Sequence, residues 1–437
     1  MVDIAMQEAR GTLVPKNSYL WIAGATMIGT TIEWFDFFIY GTAAALVFNK
    51  LFFPSFDPTT ATLASLATFS IGLFFRPLGG LIFGHFGDRV GRKSMLMSSL
   101  LLMGIPTVLI GLVPTYESIG LWAAAILVTL RILQGIALGG EWGGAVLMAV
   151  EHAPRDKASL FGSLPQAGVP AGLLLAAGAF ALLGQLSERD FLTWGWRIPF
   201  VASFVLVIIG LLVRSRIAES PVFTEIRDKK SLRALPAATV VRSHLRSLML
   251  AVGAKLGEVT LFYVITVFVL SYATTTLGFS RGTVLQAIMI AAALALMTIP
   301  LFGWIGDRAG QRVVYFFGAV LLASFAVPMF ALIETRSVVW LTVSIVTALG
   351  IIYPLMYGPQ PSLYSAQFPP EVRYSGISLG VQLAGAIGGG LAPIVATSLL
   401  VKFGNTTAVG AYLGVLGIVA GVCVYFMKQA SLKARTL

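Results

Sequence analysis

Two carboxylates stand three residues apart inside one apolar run. They are Glu33 and Asp36 of TIEWFDFFIYGT (residues 31–42), with Trp34, Phe35, Phe37, Phe38 and Tyr40 around them. On a helix they share a face that Phe37 and Tyr40 continue. A second stripe reads Arg131, Gln134, Leu138 and Trp142, with Glu141 at its edge. A third pairs Lys255 with Glu258 and runs on to Phe262 and Thr266. A charge at the centre of a bilayer costs several kcal/mol, so such residues face a bundle interior or a water-filled cavity. A carboxylate in a partly dry cavity holds its proton more tightly than in water, and a nearby guanidinium loosens it again. Alternation between these surroundings makes a proton carrier. Asp36 is expected to carry the proton, paired in one state with Arg131, and Glu33 is the second choice. The alternative is a permanent ion pair that only joins helices.

The same stripes offer a substrate site. Arg131 and Lys255 are cations suited to a carboxylate, Arg through its bidentate fork. Gln134, Gln166, Gln360 and Gln382 can bond substrate hydroxyls or a neighbouring helix. Trp142, Tyr263, Tyr353 and Tyr357 can stack on a substrate or pack within the bundle. Lys255 and Glu258 either line the site or neutralise each other. Arg76, beside RPLGG, is expected to pair near the cytoplasmic face and to have no substrate role.

These residues need elements to position them. The chain has 437 residues, 57% hydrophobic and 11% charged, against about 25% charged in soluble domains. Twelve apolar runs stand at roughly 19–48, 61–84, 94–113, 119–149, 159–185, 198–214, 247–273, 283–303, 313–333, 337–360, 374–401 and 405–427. Each can cross a hydrocarbon core about 30 Å thick as a helix. Pro165, Pro170 and Pro300 do not oppose this, because membrane helices tolerate proline where neighbours satisfy the backbone. The fold expected is an all-α integral membrane protein.

Lys and Arg gather in alternate loops. One side holds Arg10, Lys16, Arg89, Arg92, Lys93, Arg155, Lys157, the stretch 214–246, Arg308, Arg312, Arg373, Lys428, Lys433 and Arg435. The other holds Lys50, Arg189, Arg197, Arg281, Arg336 and Lys402. The excess marks the cytoplasmic side and places both termini there. It also explains the net charge of +11 without nucleic acid. No signal peptide is expected, since polar residues 1–18 lead straight into a run too long for one. Cys423 has no cysteine to pair with. The division expected is a first six-helix bundle over 1–214, a linker with a surface helix over 215–246, and a second bundle over 247–437.

GHFGDRVGRK (84–93) follows the second run, and GWIGDRAGQR (303–312) follows the eighth. Gly84, Gly87, Asp88, Arg89 and Gly91 match Gly303, Gly306, Asp307, Arg308 and Gly310. Matching loops at matching places imply two related halves with a substrate site between them. Gly84 and Gly91 allow tight turns and close helix approach. Asp88 can bond the turn or a helix N-terminus, and Arg89 and Arg92 can pair with acids across the halves. The two loops, through Gly84, Asp88, Arg89, Gly91, Arg92, Asp307 and Arg308, are expected to act as a gate latch on the cytoplasmic side.

The first loop resembles the signature loop of the major facilitator superfamily. IEWFDFFIYG, FRPLGGLIFGHFGDRVGRKSML, RILQGIALGGEWGGAVLMAVEHAP, GWRIPF and ESPVF resemble its metabolite–proton symporter family, which includes shikimate, α-ketoglutarate, citrate and proline/betaine permeases. GHFGDRVGRKSMLM, TIPLFGWIGDR and VRYSGISLGVQLAGAIGGG look most like the shikimate type. Gln311 stands where the first loop has Arg92, and the short tail lacks the coiled-coil extension of osmosensing relatives. The resemblance implies a twelve-helix fold of two pseudo-symmetric bundles. It also implies alternating access and a first-span acid coupled to a fourth-span Arg. The function expected is proton symport of a small organic metabolite, best a carboxylate, across a bacterial-type inner membrane into the cytoplasm. The expected partners are that metabolite and the bilayer, with protons as coupling ion, no cofactor and a monomeric state. An exporter or proton antiporter, or a nutrient receptor without transport, would share these features. An enzyme is not expected, because the runs hold no nucleophile–base set. His85, His152 and His244 lack metal-ligand spacing, and no GxxxxGK[ST] loop supports ATP drive.

Overall fold

In the bilayer core every backbone N–H and C=O must be bonded within the chain, so each apolar run closes its own hydrogen bonds as a helix. The computed structural model describes residues 18–229 and 233–428. Arg10, Lys16, Lys433 and Arg435, used above for orientation, lie outside the described residues. The twelve long apolar helices are α1 (Tyr19–Leu51), α2 (Leu63–Gly87), α3 (Arg92–Leu112), α4 (Leu121–His152), α5 (Ala158–Leu183) and α6 (Gly195–Ser215), then α7 (Leu245–Thr275), α8 (Arg281–Ala309), α9 (Gln311–Glu334), α10 (Val338–Ser365), α11 (Pro370–Phe403) and α12 (Thr407–Phe426). Between α6 and α7 lie two short helices, Pro221–Asp228 and Pro236–Ser243, which bury Phe223, Ile226 and Val240.

Within the first half α1 packs on α5, α2 on α4, and α3 against α4 and α6. Within the second, α8 packs on α10, and α12 on both α7 and α9. The halves meet along two seams, α2 with α11 and α5 with α8. Each seam joins the second helix of one half to the fifth of the other, as a two-fold axis between repeats requires. Glycine sets the spacing. A Cβ on Gly84 would lie 2.9 Å from Ser375 Cα, and one on Gly303 would lie 2.8 Å from the Ser159 carbonyl. Inside the first half the tightest approach is Gly79 of α2, where a Cβ would overlap the Ile136 carbonyl of α4.

Among the described residues four helices widen into π turns: Ala44–Phe48 in α1, Val264–Val269 in α7, Ala348–Ile352 in α10 and Gly385–Gly390 in α11. A π turn shifts the register of the following side chains and often marks a functional site. Three of these turns adjoin Tyr263, Tyr353 and Gln382, whose side chains meet in the space between the halves.

Candidate functional site: a central cavity behind a closed loop face

The cavity lies between the halves. The first half supplies Glu33, Trp34, Arg76, Glu141 and Trp142, and the second supplies Lys255, Glu258, Tyr263, Tyr353, Tyr357 and Gln382. Its free volume is about 60 Å3, room for a few waters. Anything larger needs the halves to part.

On the second-half wall Lys255 Nζ lies 2.9 Å from Glu258 Oε1 and 2.9 Å from Gln360 Oε1. Gln360 Nε2 donates to Glu258 Oε2 at 3.2 Å, so Lys255 and Glu258 neutralise each other at the wall. The pair thus lines the cavity and is neutralised within itself, and Gln360 braces it. The ammonium also sits 4.6 Å from the Tyr357 ring centre. Tyr357 stacks on Tyr353 at 4.7 Å. The buried Tyr263 hydroxyl has no hydrogen-bond partner. Trp142 Nε1 donates to Gln166 Oε1 at 2.6 Å, and Gln166 Nε2 donates to the Tyr357 carbonyl. Gln166 thus stands behind the wall and ties the halves. Gln382 reaches the Leu138 carbonyl at 3.4 Å.

Arg76 differs from the sequence expectation. It joins no ion pair among the described residues, and its Nε and Nη2 have no hydrogen-bond partner. It lies under the cavity, over Phe37 at 4.7 Å and Trp34 at 5.4 Å. The reason is depth. α2 continues to Gly87, which leaves Arg76 about 16 Å inside the helix end at 1.5 Å per residue.

Arg131 and Gln134, expected to hold substrate, do not line the cavity. Arg131 is enclosed in the first half, 4.2 Å over Tyr40 and 4.9 Å over both Phe37 and Phe69. Its Nη1 donates to Gln134 Oε1 at 3.0 Å, and Gln134 Nε2 donates to Thr107 Oγ1 at 2.8 Å. Asp36 accepts from the Ser203 hydroxyl, and its Oδ2 has no partner. It is not ion-paired with Arg131 in this conformation. Three residues turn a helix by about 300°, so Glu33 and Asp36 diverge by about 60°. Glu33 points to the cavity and Asp36 to α6.

Glu33 instead meets a residue that the sequence reading counted only as the first of the basic stretch 214–246. Arg214, 1% exposed, comes from the end of α6. Its Nη1 lies 3.4 Å from Glu33 Oε1 and its Nη2 2.5 Å from Glu141 Oε1. Nη1 also donates to the Leu96 carbonyl, and Thr30 Oγ1 donates to Glu141 Oε1 at 3.3 Å. A side chain on Gly29 would occupy the space of this guanidinium. The available signal was Glu33, a buried acid with no cation in its own run. Position 214 gave none, since Arg216 follows and the pair reads as a loop.

The two repeated loops close one face. Asp88 accepts the N–H groups of Tyr374 and Ser375 at 3.2 and 2.9 Å, in the first turn of the helical segment Arg373–Ala384. Asp307 accepts those of Ser159 and Leu160 at 2.7 and 2.8 Å, in the first turn of α5. Each acid caps a helix of the opposite half, where free N–H groups and the helix dipole favour negative charge. Arg92 lies 3.6 Å from both Asp88 and Glu151, and Arg373 of the second half reaches Glu151 at 3.2 Å. Burial pushes the Asp88 carboxyl up to about 6, against the pull of Arg92 and of the Ser375 and Tyr374 donors. Glu219 of ESPVF accepts the N–H groups of Arg92 and Lys93 at 3.0 and 3.2 Å. Gly91 and Gly310 hold φ of 125° and 96°, which only glycine adopts without strain. Among the described residues Arg89 and Arg308 make no ion pair across the halves. Both are exposed, Arg89 beside His85 at 3.5 Å and Arg308 over Trp304 at 3.8 Å.

Residues 21–242 match the family model described as "Sugar (and other) transporter". The chain is 39% identical to the shikimate transporter of Escherichia coli (strain K12), covering 92% of this chain and 93% of that one. It is 43% identical to the inner membrane metabolite transport protein YhjE of the same organism, covering 92% of each. It is 34% identical to the proline/betaine transporter of Salmonella typhimurium (strain LT2), over 94% of this chain and 84% of that one. In fold it superposes on XylE, a major facilitator superfamily proton:xylose symporter, with a TM-score of 0.77 at 16% identity over 95% of this chain and 97% of that one. The interlocked halves, the repeated loops and these similarities lead to one assignment: the chain is a multi-pass membrane protein of the sugar (and other) transporter family, within the major facilitator superfamily.

Proposed function

We propose that the protein is a proton-coupled symporter that imports a small organic carboxylate across a bacterial-type inner membrane. Both termini and the closed loop face lie on the cytoplasmic side in this reading, as the Lys and Arg excess requires. The cavity would then load from outside, and parting of the α2–α11 and α5–α8 seams would release substrate inward.

The observation that carries the reading is Arg76. Lys255 is already neutralised by Glu258, whereas Arg76 faces the cavity with two unbonded nitrogens. An uncompensated buried cation is costly, and a substrate carboxylate relieves that cost through two parallel N–H···O bonds. Trp34, Trp142, Tyr353 and Tyr357 give flat walls for a ring or carbon skeleton. The Tyr263 hydroxyl and Gln382 suit substrate hydroxyls. Similarity to a shikimate transporter supports a hydroxylated ring acid. Coupling is assigned to a buried acid of the first half.

The test is counterflow exchange in proteoliposomes with labelled shikimate, α-ketoglutarate, citrate, betaine and xylose. Exchange of an acid that Arg76→Gln reduces at least ten-fold supports the reading. Exchange of xylose with none of the acids overturns it.

A further inference from the structure

The cavity and its backing hold three acids, Glu33, Glu141 and Glu258, and three cations, Arg76, Arg214 and Lys255. They are not paired one to one. Lys255 and Glu258 form a closed pair. Glu33 and Glu141 share the single guanidinium of Arg214, and Arg76 has no acid of its own. The surplus negative charge of that cluster is therefore balanced without a direct pair, by Arg76, which lines the same cavity.

A substrate carboxylate on Arg76 removes that balance. Two carboxylates then compete for one guanidinium in a site shielded from water, where like charges are strongly unfavourable. One proton restores neutrality. Glu141 Oε2 is the oxygen placed to take it, because it is buried and has no hydrogen-bond partner. We propose that the Glu33–Glu141 pair, sharing Arg214, is the binding site of the transported proton, and that it loads when a substrate anion occupies Arg76. This rests on the symport reading above and names the coupling group within it. A proton from water on the open side bonds to one carboxylate oxygen, giving a neutral carboxyl. It returns to water on the other side once the anion leaves Arg76.

Among the described residues the surroundings contain no second counter-charge that would make the proton unnecessary. On α6 the charge facing the pair is Arg214, and on α2 it is Arg76, which the substrate takes. α7 presents Lys255 and Glu258, already mutually bonded, together with Tyr263. α10 presents Tyr353 and Tyr357. On α11 the nearest ionisable group is Tyr374, whose hydroxyl donates to the Gly140 carbonyl at 2.8 Å. From α3 the contact is the Leu96 carbonyl.

Infrared difference spectroscopy of the full-length protein in lipid, titrated from about pH 4 to pH 9 with and without the transported acid, reads the proton directly, and the band is expected to persist to higher pH when the acid is present. The expected result is a reversible carbonyl band of a neutral buried carboxyl that both Glu33→Gln and Glu141→Gln abolish, because either change leaves one acid matched to Arg214. Both variants mimic the neutral acid, so folding is not at issue. A band that survives in both, or vanishes in only one, or is lost only in Asp36→Asn, overturns the shared-proton site. In proteoliposomes, gradient-driven accumulation relative to the exchange rate in the same vesicles should fall at least ten-fold in each variant. Unchanged ratios overturn the assignment as well. Wild type that exchanges an acid but never accumulates it would sink the symport reading instead, and the infrared result would still report on the pair.

Discussion

Replacing Asp307 with Asn tests the latch where the geometry is simplest. Both carboxylate oxygens accept backbone N–H groups, from Ser159 at 2.7 Å and Leu160 at 2.8 Å. Asn keeps one acceptor and turns a donor toward the other N–H. An unsatisfied buried donor costs about 1–3 kcal/mol, and loss of the charge at the helix N-terminus adds about 0.3–1 kcal/mol. A net of about 2 kcal/mol shifts the closed-to-open ratio about 30-fold. Ser163 reports that shift. It is buried against Gly303 at the α5–α8 seam and becomes accessible only when the halves part. In a Cys423→Ser background, maleimide labelling of Ser163→Cys should speed up about 30-fold when Asp307→Asn is added. A change of less than about two-fold would refute the claim that this carboxylate holds the seam shut.

Other outcomes follow from the same structure. Arg214→Gln should destabilise the protein by about 3–5 kcal/mol, the cost of leaving buried charge uncompensated, whereas Glu33→Gln should leave thermal stability in lipid nearly unchanged; equal losses in both would contradict the shared guanidinium. Gly79→Ala should abolish folded yield, measured by monodispersity after purification, because its methyl would overlap the Ile136 carbonyl. The latch should also depend on pH through Asp88. Burial in the closed face outweighs Arg92 and the two N–H donors and raises its carboxyl from an ordinary 3.8 to about 6, so protonation favours closure, and a neutral carboxyl, unlike an Asn amide, still offers an oxygen to each N–H. That contribution is full below about pH 4, is lost as pH rises through about 6, and is flat above. Distances between spin labels at Arg89→Cys and Arg308→Cys should lengthen over that window in wild type and lose the slope in Asp88→Asn.

The twelve helices were legible because a bilayer leaves an apolar run of this length no other backbone solution. The two seams were legible in outline, since the loop repeat named Asp88 and Asp307 before any contact was known. Their partners were not, because the atoms they hold are backbone N–H groups of distant helices, which no side-chain pattern marks. Depth was the weakest inference. Arg76 and Arg214 each lie near an apparent run end, and both were placed toward the cytoplasm. Arg76 lies eleven residues before the end of α2 and Arg214 one residue before the end of α6, and both side chains are buried in the protein. Shared helical faces also misled. Glu33 and Asp36, or Arg131 and Glu141, are close on a helix surface, yet a divergence of about 60–80° is enough to put one at the cavity and the other behind it. On α7 the i, i+3 spacing of Lys255 and Glu258 put both on one face, and the structure bonds them to each other, whereas their meeting with Tyr353 and Tyr357 of α10 left no mark in the sequence.

The central claim is that an anion at Arg76 and a proton at a buried acid cross together. The measurement that meets it most directly is uptake into proteoliposomes under an imposed inward proton gradient, with labelled acids and with or without a protonophore. The account predicts uphill accumulation of one organic acid that collapses to the equilibrium ratio when the protonophore is added. Uptake of that acid at the same rate and to the same level with and without the gradient would contradict it.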